Sequence, residues 1–370
     1  MTAPASALNG VRIVSPAPRD DWRAVLAADP DATPTQLPEW LDCLRDARGF
    51  ADASRLYELP DGRRLVLPMA ARAPAGIPIS EESWPYGWGY GGVLVEGGHG
   101  GLTPDDCRVV LADLARRPAL RRAVVPAPAL GGVWQAAAPP NAVRMPYLTQ
   151  VLDLEGGFET VWSTRFRSKT RKLVRKAERF ELDVRCERGP EAVAGRGLGM
   201  FALLYREAVD RWAVQRGQPL AVARRLAAHR DRPGQVAAVA AGLGEHCAIW
   251  SATWRGEPVA VKVVLRFGRH SLAWMGARNA ALSRETLANY LLQSLAIEDA
   301  CAAGVRHYNM GESDPGSGVE HAKRVFGAVP VEYQALRFER LPLTRGEQRL
   351  RALFGTLSRL NIRRREVGAT

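Results

Sequence analysis

Paired or metal-binding cysteines are missing from this sequence. Its cysteines are odd in number, lie far apart along the chain, and include no C-x-x-C pair and no histidine at ligand spacing. They are Cys43, Cys107, Cys186, Cys247 and Cys301. The pattern excludes a disulfide framework and a zinc finger. We therefore expect reduced, mostly buried thiols and no metal centre.

Long apolar runs are also absent. No uninterrupted stretch reaches the roughly 18 residues that a membrane span needs. The first ten residues have neither a basic start nor a continuous apolar core, so they do not resemble a secretory signal. These absences predict a cytoplasmic protein without integral membrane association.

Lysine is scarce although the chain is basic. Of 51 lysines and arginines, only Lys169, Lys172, Lys176, Lys262 and Lys323 are lysines, and the net charge is +12. A positive excess of this size favours an anionic partner, such as a nucleic acid, a phosphorylated substrate or a membrane surface. The few remaining lysines are candidates for positions where arginine does not serve equally well.

The length of 370 residues and the hydrophobic content of 46% predict a folded protein of about two domains. A connector rich in alanine and proline precedes a new strand, so we place one domain at 1–146 and the next at 147–344. Residues 345–370 are interpreted as a basic helical tail. Alternating helix and strand signals predict an α+β fold, with mixed, mostly antiparallel sheets flanked by helices.

A strongly basic segment opens the second domain. Apolar residues recur at helical spacing over 158–180, which predicts one continuous helix. Its remaining surface carries Arg165, Arg167, Lys169, Arg171, Lys172, Arg175 and Lys176. Like charges at this spacing repel one another, and a bound anion relieves the repulsion. The alternatives are a surface that binds an anion such as phosphate and a simply solvated basic face.

The later part of the chain predicts a strand meander followed by alternating helices and strands. Strands are expected at 247–254, 258–267 and 271–277, then a helix at 283–303, a strand at 305–310, a short helix at 319–326 and a last strand at 331–338. A loop rich in glycine and aromatic residues, at 84–92 of the first domain, predicts either a substrate pocket or a packed domain interface.

Several segments in this order resemble the Fem-type branch of the GNAT acyltransferases. They are WMGAR at 274–278, GVRHYNMG at 304–311, GVEHAKRVFG at 318–327, and the basic segment at 163–180. The resemblance covers most of residues 150–340. It implies two GNAT-like domains in tandem, of which the N-terminal one is degenerate and the C-terminal one catalytic.

The resemblance also implies a chemistry. Members of this branch transfer an amino acid from aminoacyl-tRNA to an amine, and others use acyl-CoA or act on small molecules. The lysine of their late glycine-to-phenylalanine segment, which stabilises the reacting acyl group, corresponds to Lys323. The aromatic residue that often precedes this lysine is replaced by Ala322.

Aminolysis of an ester or thioester needs a neutral amine near the carbonyl, a donor for the oxyanion and an acid for the leaving group. Lys323 is the predicted oxyanion donor. Glu312 and Asp314, in the loop after a strand, are candidate bases, as are His307 and His321. Each of these also has an ordinary structural interpretation, as a surface lysine, a capping carboxylate or a structural histidine. The predicted substrate-binding residues are Trp84, Tyr86, Tyr90, Arg278 and His321.

The choice between aminoacyl-tRNA and acyl-CoA as the acyl donor depends on the sequence of one turn. GNAT enzymes that use acyl-CoA have a glycine-containing turn whose amides hold the pyrophosphate at a helix N-terminus. The corresponding segment here, RNAALSR at 278–284, has no glycine. Together with the basic segment, this favours aminoacyl-tRNA as the donor and no separate cofactor.

The leading hypothesis is therefore an aminoacyltransferase that forms an amide bond between an amino acid carried by tRNA and an amine. The acceptor would belong to a small molecule or a peptidoglycan precursor. Two alternatives remain open. One is an N-acyltransferase that uses acyl-CoA, and the other is a non-catalytic GNAT-like module that binds RNA or an anionic membrane surface through residues 165–179.

Overall fold

The fold is organised around one large mixed β-sheet, in a computed structural model that describes residues 8–342, 344 and 346. Apart from residue 346, the predicted basic tail at 345–370 lies outside the described residues. The strands in chain order are β1 (Arg12–Val14), β2 (Ala51–Asp52), β3 (Arg55–Glu58), β4 (Arg64–Leu67), β5 (Ala70–Arg72), β6 (Ser80–Glu82), β7 (Leu94–Val95), β8 (Arg121–Val124), β9 (Val143–Asp153), β10 (Asp183–Arg188), β11 (Cys247–Trp254), β12 (Glu257–Phe267), β13 (His270–Arg278), β14 (His307–Glu312) and β15 (Val329–Glu339).

Helices flank this sheet on both faces. In chain order they are α1 (Arg19–Ala28), α2 (Pro38–Arg48), α3 (Pro104–Arg116), α4 (Gly131–Ala137), α5 (Gly157–Thr160), α6 (Ser168–Ala177), α7 (Gly189–Ala194), α8 (Arg196–Gln215), α9 (Leu220–Arg230), α10 (Arg232–Leu243), α11 (Ala280–Thr286), α12 (Ala288–Ala302) and α13 (Gly318–Arg324). No helix among the described residues is both long enough and apolar enough to cross a membrane. The five cysteines are all free, and three of them are buried.

The two halves of the chain share the large sheet. Its strands lie in the order β10, β11, β12, β13, β14, β9, β15, β8, β6, β5, β2, and a second sheet has the order β1, β3, β4, β7. The halves join where Leu336 of β15 pairs with Val124 of β8. This confirms a mixed sheet flanked by helices in a two-domain layout. Strand β9 runs continuously through residue 146, so the proposed boundary there stays a prediction.

The two faces of the sheet pack against different helices. Along β12, Val261, Val263 and Leu265 join the large core that includes residues of α8 and α10. Ala260 and Val264 point the other way and pack with residues of α12. This two-residue period makes β12 a central strand buried on both faces. We call these faces the α8 face and the α12 face.

The prediction of one continuous helix over 158–180 is wrong. Helix α5 continues as a π-helical turn, Val161–Arg165, and the backbone is extended at Phe166 and Arg167 before α6 begins. The Arg171 guanidinium donates to the carbonyl oxygens of Trp162, Ser163 and Phe166, which the break leaves without helical partners. Helical periodicity survives such a break, so the apolar spacing did not show it.

The predicted helix at 283–303 is likewise divided into α11 and α12. Leu287 lies between them with a left-handed backbone, at φ 58°. Leucine has no sequence signal for this conformation, which costs about 1 kcal/mol or more for a residue with a side chain. Tertiary packing of both short helices therefore sets the break.

Candidate active site

Strands β13 and β14 form a parallel pair near the centre of the sheet. These strands pair only from His270 with His307 to Leu272 with Asn309. A register shift in β13 leaves Trp274 as an extra residue, and a second shift lies in β14 before Glu312. Bulges of this kind bend a strand away from its partner. Beyond this segment the two strands are not paired with each other, and we call the region around their unpaired ends the cleft.

Lys323 reaches into this cleft from α13. Its Nζ donates to the carbonyl oxygens of Gly311 at 2.7 Å and Glu312 at 2.8 Å. An ammonium group has three N–H donors, so these two bonds fix its position and leave the third available. Burial lowers the pKa of Lys323 to about 8, and the Glu312 carboxylate partly offsets this effect. The group is a preorganised cation at neutral pH.

Gly311 is required where Lys323 docks. Its φ of +79° lies in the left-handed region, and a Cβ atom there would be 3.1 Å from the Ala273 carbonyl oxygen and 3.8 Å from Lys323 Nζ. The residue lies in the shifted part of β14. A side chain at this position would therefore both strain the backbone and crowd the lysine.

Glu312 lies beside Lys323 and accepts a hydrogen bond from the Tyr333 hydroxyl at 2.7 Å. The surrounding protein desolvates the carboxylate and raises its pKa, while Tyr333 and Lys323 act in the opposite direction. The glutamate side chain still reaches solvent. A carboxylate that is accessible and has a raised pKa is suited to accept a proton from an incoming amine.

Tyrosines surround Glu312 on the α8 face. Tyr147 stacks on Tyr333 with ring centroids 5.5 Å apart. Tyr90 is buried, and its hydroxyl accepts a hydrogen bond from the Asn309 amide at 3.2 Å. Burial raises the pKa of both Tyr90 and Tyr333 well above the ordinary value, so the phenols stay protonated. This side of the cleft combines aromatic rings with one carboxylate.

The opposite side of the cleft carries uncompensated positive charge. Lys262 of β12 lies between Ala260 and Val264, which both point to the α12 face, so the strand period places Lys262 there as well. Burial lowers the pKa of Lys262 to about 8, and repulsion by Arg278 and Lys323 adds to this effect. Our sequence interpretation assigned Lys262 no role. The available signal was a lone lysine within the apolar run 259–265.

The aromatic and glycine-rich loop mainly packs the junction between the halves. Trp84 is buried, and Trp88 contacts Trp274 at 5.9 Å between ring centroids. The Trp274 indole donates to the Gly87 carbonyl oxygen at 3.2 Å. The contact of Trp84 and Tyr90 with a substrate stays a prediction. Tyr86 is 77% exposed, and its contact with a substrate stays a prediction.

The other predicted site residues lie at the edge of the cleft or away from it. Asp314 is exposed in the loop between β14 and α13, and His321 is exposed on α13. His307 begins β14, at the opposite end from Glu312, and its ring lies 5.2 Å from that of His270. The structure brings Lys323 and Glu312 together, and it places Arg278 close enough to Lys262 to affect its pKa.

Helix α6 lies on the α12 face and keeps most of its basic side chains exposed. Its buried residues Val174 and Ala177 pack with Leu291 of α12. Five predicted phosphate-binding residues are exposed: Arg167, Lys169, Lys172, Arg175 and Lys176. The other two have protein partners, since Arg171 binds three carbonyl groups and Arg165 donates to the Glu155 carbonyl oxygen at 2.7 Å. Their phosphate-binding role stays a prediction.

Residues 164–324 match the sequence profile of a family described as an acetyltransferase (GNAT) domain. The chain has a Fem-like GNAT fold. FemX is similar with a TM-score of 0.54 and 12% identity, over 89% of this chain and 97% of FemX. The C-terminal domain of a putative lysylphosphatidylglycerol synthetase from Agrobacterium fabrum is similar with a TM-score of 0.51 and 12% identity, over 92% and 94% of the two chains.

A conserved protein of unknown function from Bacteroides thetaiotaomicron also has this fold, with a TM-score of 0.50 and 10% identity over 87% of this chain and 97% of that protein. No curated protein matches this sequence significantly. At these identities the structural likeness establishes the fold. The reaction of this GNAT-fold chain must therefore be inferred from the residues of the cleft.

Proposed function

We propose that this GNAT-fold protein is an N-acyltransferase that transfers an amino acid from aminoacyl-tRNA to an amine. The observation that carries the proposal is the position of Lys323, whose ammonium is held by two backbone carbonyl groups and keeps one N–H directed to no other described residue. A donor preorganised in this way stabilises an oxyanion without reorganising during the reaction. We infer that this N–H donates a hydrogen bond to the acyl carbonyl oxygen.

The proposed step is aminolysis of the aminoacyl ester. The lone pair of the neutral acceptor nitrogen forms a bond to the carbonyl carbon, and the negative charge that develops on oxygen is stabilised by Lys323. Glu312 accepts a proton from the nitrogen. The C–O bond to the ribose then breaks, and the ribose oxygen takes up the proton that Glu312 accepted. The products are an amide and deacylated tRNA.

The two sides of the cleft support separate entry of donor and acceptor. Lys262 and the exposed basic residues of α6 lie on the α12 face, which suits a polyanionic donor. Glu312 and the stacked pair Tyr147 and Tyr333 lie on the α8 face, which suits an ammonium group. An acceptor that arrives as a cation would thus meet its base before reaching the acyl carbon.

The start of α11 supports a donor other than acyl-CoA. The amides of Ala281 and Leu282, at the helix N-terminus, both donate to the Asn279 side-chain oxygen at 3.1 Å. A pyrophosphate would have to displace this cap to use the same amides. We infer that the donor phosphates are bound by side chains instead.

Transfer assays with two donors test this proposal. The protein would be incubated with radiolabelled aminoacyl-tRNA and, separately, with radiolabelled acetyl-CoA, each with a panel of small-molecule amines and peptidoglycan-precursor amines. We expect label to appear in an amide only from aminoacyl-tRNA. Transfer from acetyl-CoA alone would show that the donor assignment is wrong. Transfer from neither donor would favour the non-catalytic module.

A charge-matched pair of variants tests the role of α6. Replacing Lys169, Lys172 and Lys176 by methionine should weaken tRNA binding and reduce the slope of log Kd against log salt, because fewer counterions are released. The control removes three exposed charges from the first half of the chain by replacing Arg12, Arg23 and Arg45. Equal salt slopes in the two variants would locate the phosphate contacts outside α6.

A further inference from the structure

Lys262 is a charged side chain in the middle of a central apolar strand. Its neighbours Val261 and Val263 are buried, whereas its own side chain is half-buried on the α12 face. Within the described part of the chain, no carboxylate or carbonyl oxygen accepts a hydrogen bond from its ammonium. A buried or half-buried cation without such a partner is rare unless a ligand supplies one.

The charges around Lys262 are also positive. Arg278 pairs with Ala260, which lies two residues from Lys262 on the same face of β12, so Arg278 is the diagonal neighbour of Lys262 across the two strands. Both Arg278 and Lys323 disfavour the protonated form of Lys262. Burial lowers the pKa of Arg278, and repulsion by Arg211 and Arg284 lowers it further. The Tyr290 phenol has the opposite effect on this pKa. These cations repel one another in the free protein, and the Glu312 carboxylate lies beside only one of them, Lys323. An anion bound among them would remove this repulsion.

The position beside Lys262 is open. Gly276 lies opposite Lys262 in the pairing of β12 with β13, and it is exposed. A Cβ atom on Gly276 would lie 3.9 Å from Cγ of Lys262, so a larger residue would cover the lysine stem. Because glycine stands here, the ammonium can be approached from the cleft.

We propose that Lys262 and Arg278 bind a phosphate group of the acyl donor beside the cleft, an inference that rests on the proposed function. An ammonium and a guanidinium together provide charge-assisted hydrogen bonds suited to phosphate oxygens. The phosphate belongs to the 3′-terminal nucleotide if the donor is aminoacyl-tRNA, and to the pyrophosphate if the donor is acyl-CoA. In either case it would hold the acyl group near Lys323.

Nuclear magnetic resonance of the lysines tests the site without a catalytic assay. The chain has few lysines, so ¹³C-dimethylated protein gives a small set of resonances, and Lys262→Arg assigns one of them. The full-length protein is titrated with pH in the presence of an RNA hairpin ending in CCA or of coenzyme A. Bound phosphate should raise the pKa of Lys262 by about one unit or more with one of these probes.

The three lysines of α6 serve as the internal control. If their resonances respond to both probes and that of Lys262 responds to neither, Lys262 does not contact phosphate and the inference is wrong. A response of Lys262 to the RNA hairpin alone identifies nucleotide phosphate, and a response to coenzyme A alone identifies pyrophosphate.

Kinetics of matched variants distinguish this inference from the proposed function. Lys262→Met should raise the KM for the donor about tenfold with a smaller change in kcat, and Lys262→Arg should recover part of the loss. If the wild-type protein transfers the acyl group and Lys262→Met keeps its donor KM, the phosphate site is wrong while the reaction stands. If the wild-type protein transfers nothing, the proposed function fails, and the resonance titration still decides on the phosphate site.

Discussion

The protonation of Lys323 should set the alkaline limit of acyl transfer. The reactive form is the ammonium, because only the cation donates to the developing oxyanion. Burial lowers its pKa to about 8, so the active form is complete below this pH and is lost as the pH rises through it. Glu312 should set the acid limit of the same reaction, because it must be ionised to accept a proton. Burial raises its pKa, so the ionised form is lost at a higher pH than for an ordinary glutamate.

The need for protonated Lys323 and ionised Glu312 predicts a bell-shaped dependence of kcat/KM on pH. With a pKa of about 8, roughly nine-tenths of Lys323 is protonated at pH 7 and roughly one-tenth at pH 9, so kcat/KM should fall nearly tenfold over that interval. The acid limb should lie above the ordinary pKa of a glutamate. Lys323→Arg keeps a cation whose pKa exceeds about 12, so this variant should lose the alkaline limb even if its rate is lower.

The assay measures kcat/KM for amide formation between pH 5 and pH 10 in the wild-type protein and in Lys323→Arg. Hydroxylamine serves as acceptor because it is a weak base and stays neutral through the alkaline limb. Rates in the acid limb are expressed per concentration of neutral hydroxylamine, and the non-enzymatic aminolysis and hydrolysis of the ester are subtracted. Lys262→Arg is the necessary control, since Lys262 also has a pKa of about 8. An alkaline limb that persists in Lys323→Arg and disappears in Lys262→Arg would refute the assignment of the oxyanion donor to Lys323.

Three further changes have defined outcomes. Gly311→Ala should lower the free energy of unfolding in urea by about 1–2 kcal/mol, because alanine is strained at the left-handed backbone conformation of residue 311. It should also lower kcat, because the added Cβ lies close to the Lys323 ammonium. Tyr333→Phe removes a hydrogen bond that lowers the pKa of Glu312, so the acid limb of the rate profile should move to higher pH. Burial lowers the pKa of His270 from 6.5 to about 4, so stability should be complete above pH 6.5 and fall by about 2 kcal/mol at pH 5, a loss that His270→Gln should reduce.

The regular part of the fold follows from the sequence because its signals are local. The predicted strand at 247–254 coincides with β11, and the predicted strands at 258–267 and 271–277 agree with β12 and β13 within one residue at each end. Tight turns between these strands leave little freedom in pairing. The order of the later elements was also predictable, and with it the place of Lys323 after a glycine-containing loop.

The geometry of the site could not be predicted in the same way. The extra residue Trp274 in β13 and the shift before Glu312 are set by tertiary packing, and a strand with a bulge has the same composition as one without. The shift in β14 places Glu312 beside Tyr333, on the same side as Tyr147. Pairing across the halves, which brings Tyr90 to Asn309, connects residues too far apart in sequence for a local pattern to indicate.

The arrangement of charges explains why a lysine, and not an arginine, stands at the centre of the cleft. Lys323 must fit between the ends of two strands and donate in three directions from one nitrogen, which a planar guanidinium does not do. It must also remain charged next to Lys262, and the Glu312 carboxylate favours that charge. A phosphate bound at Lys262 would favour it further. Binding of the donor phosphate at Lys262 would therefore raise the pKa of the Lys323 ammonium. Lys323 would then be more fully protonated when the donor is bound than when it is absent.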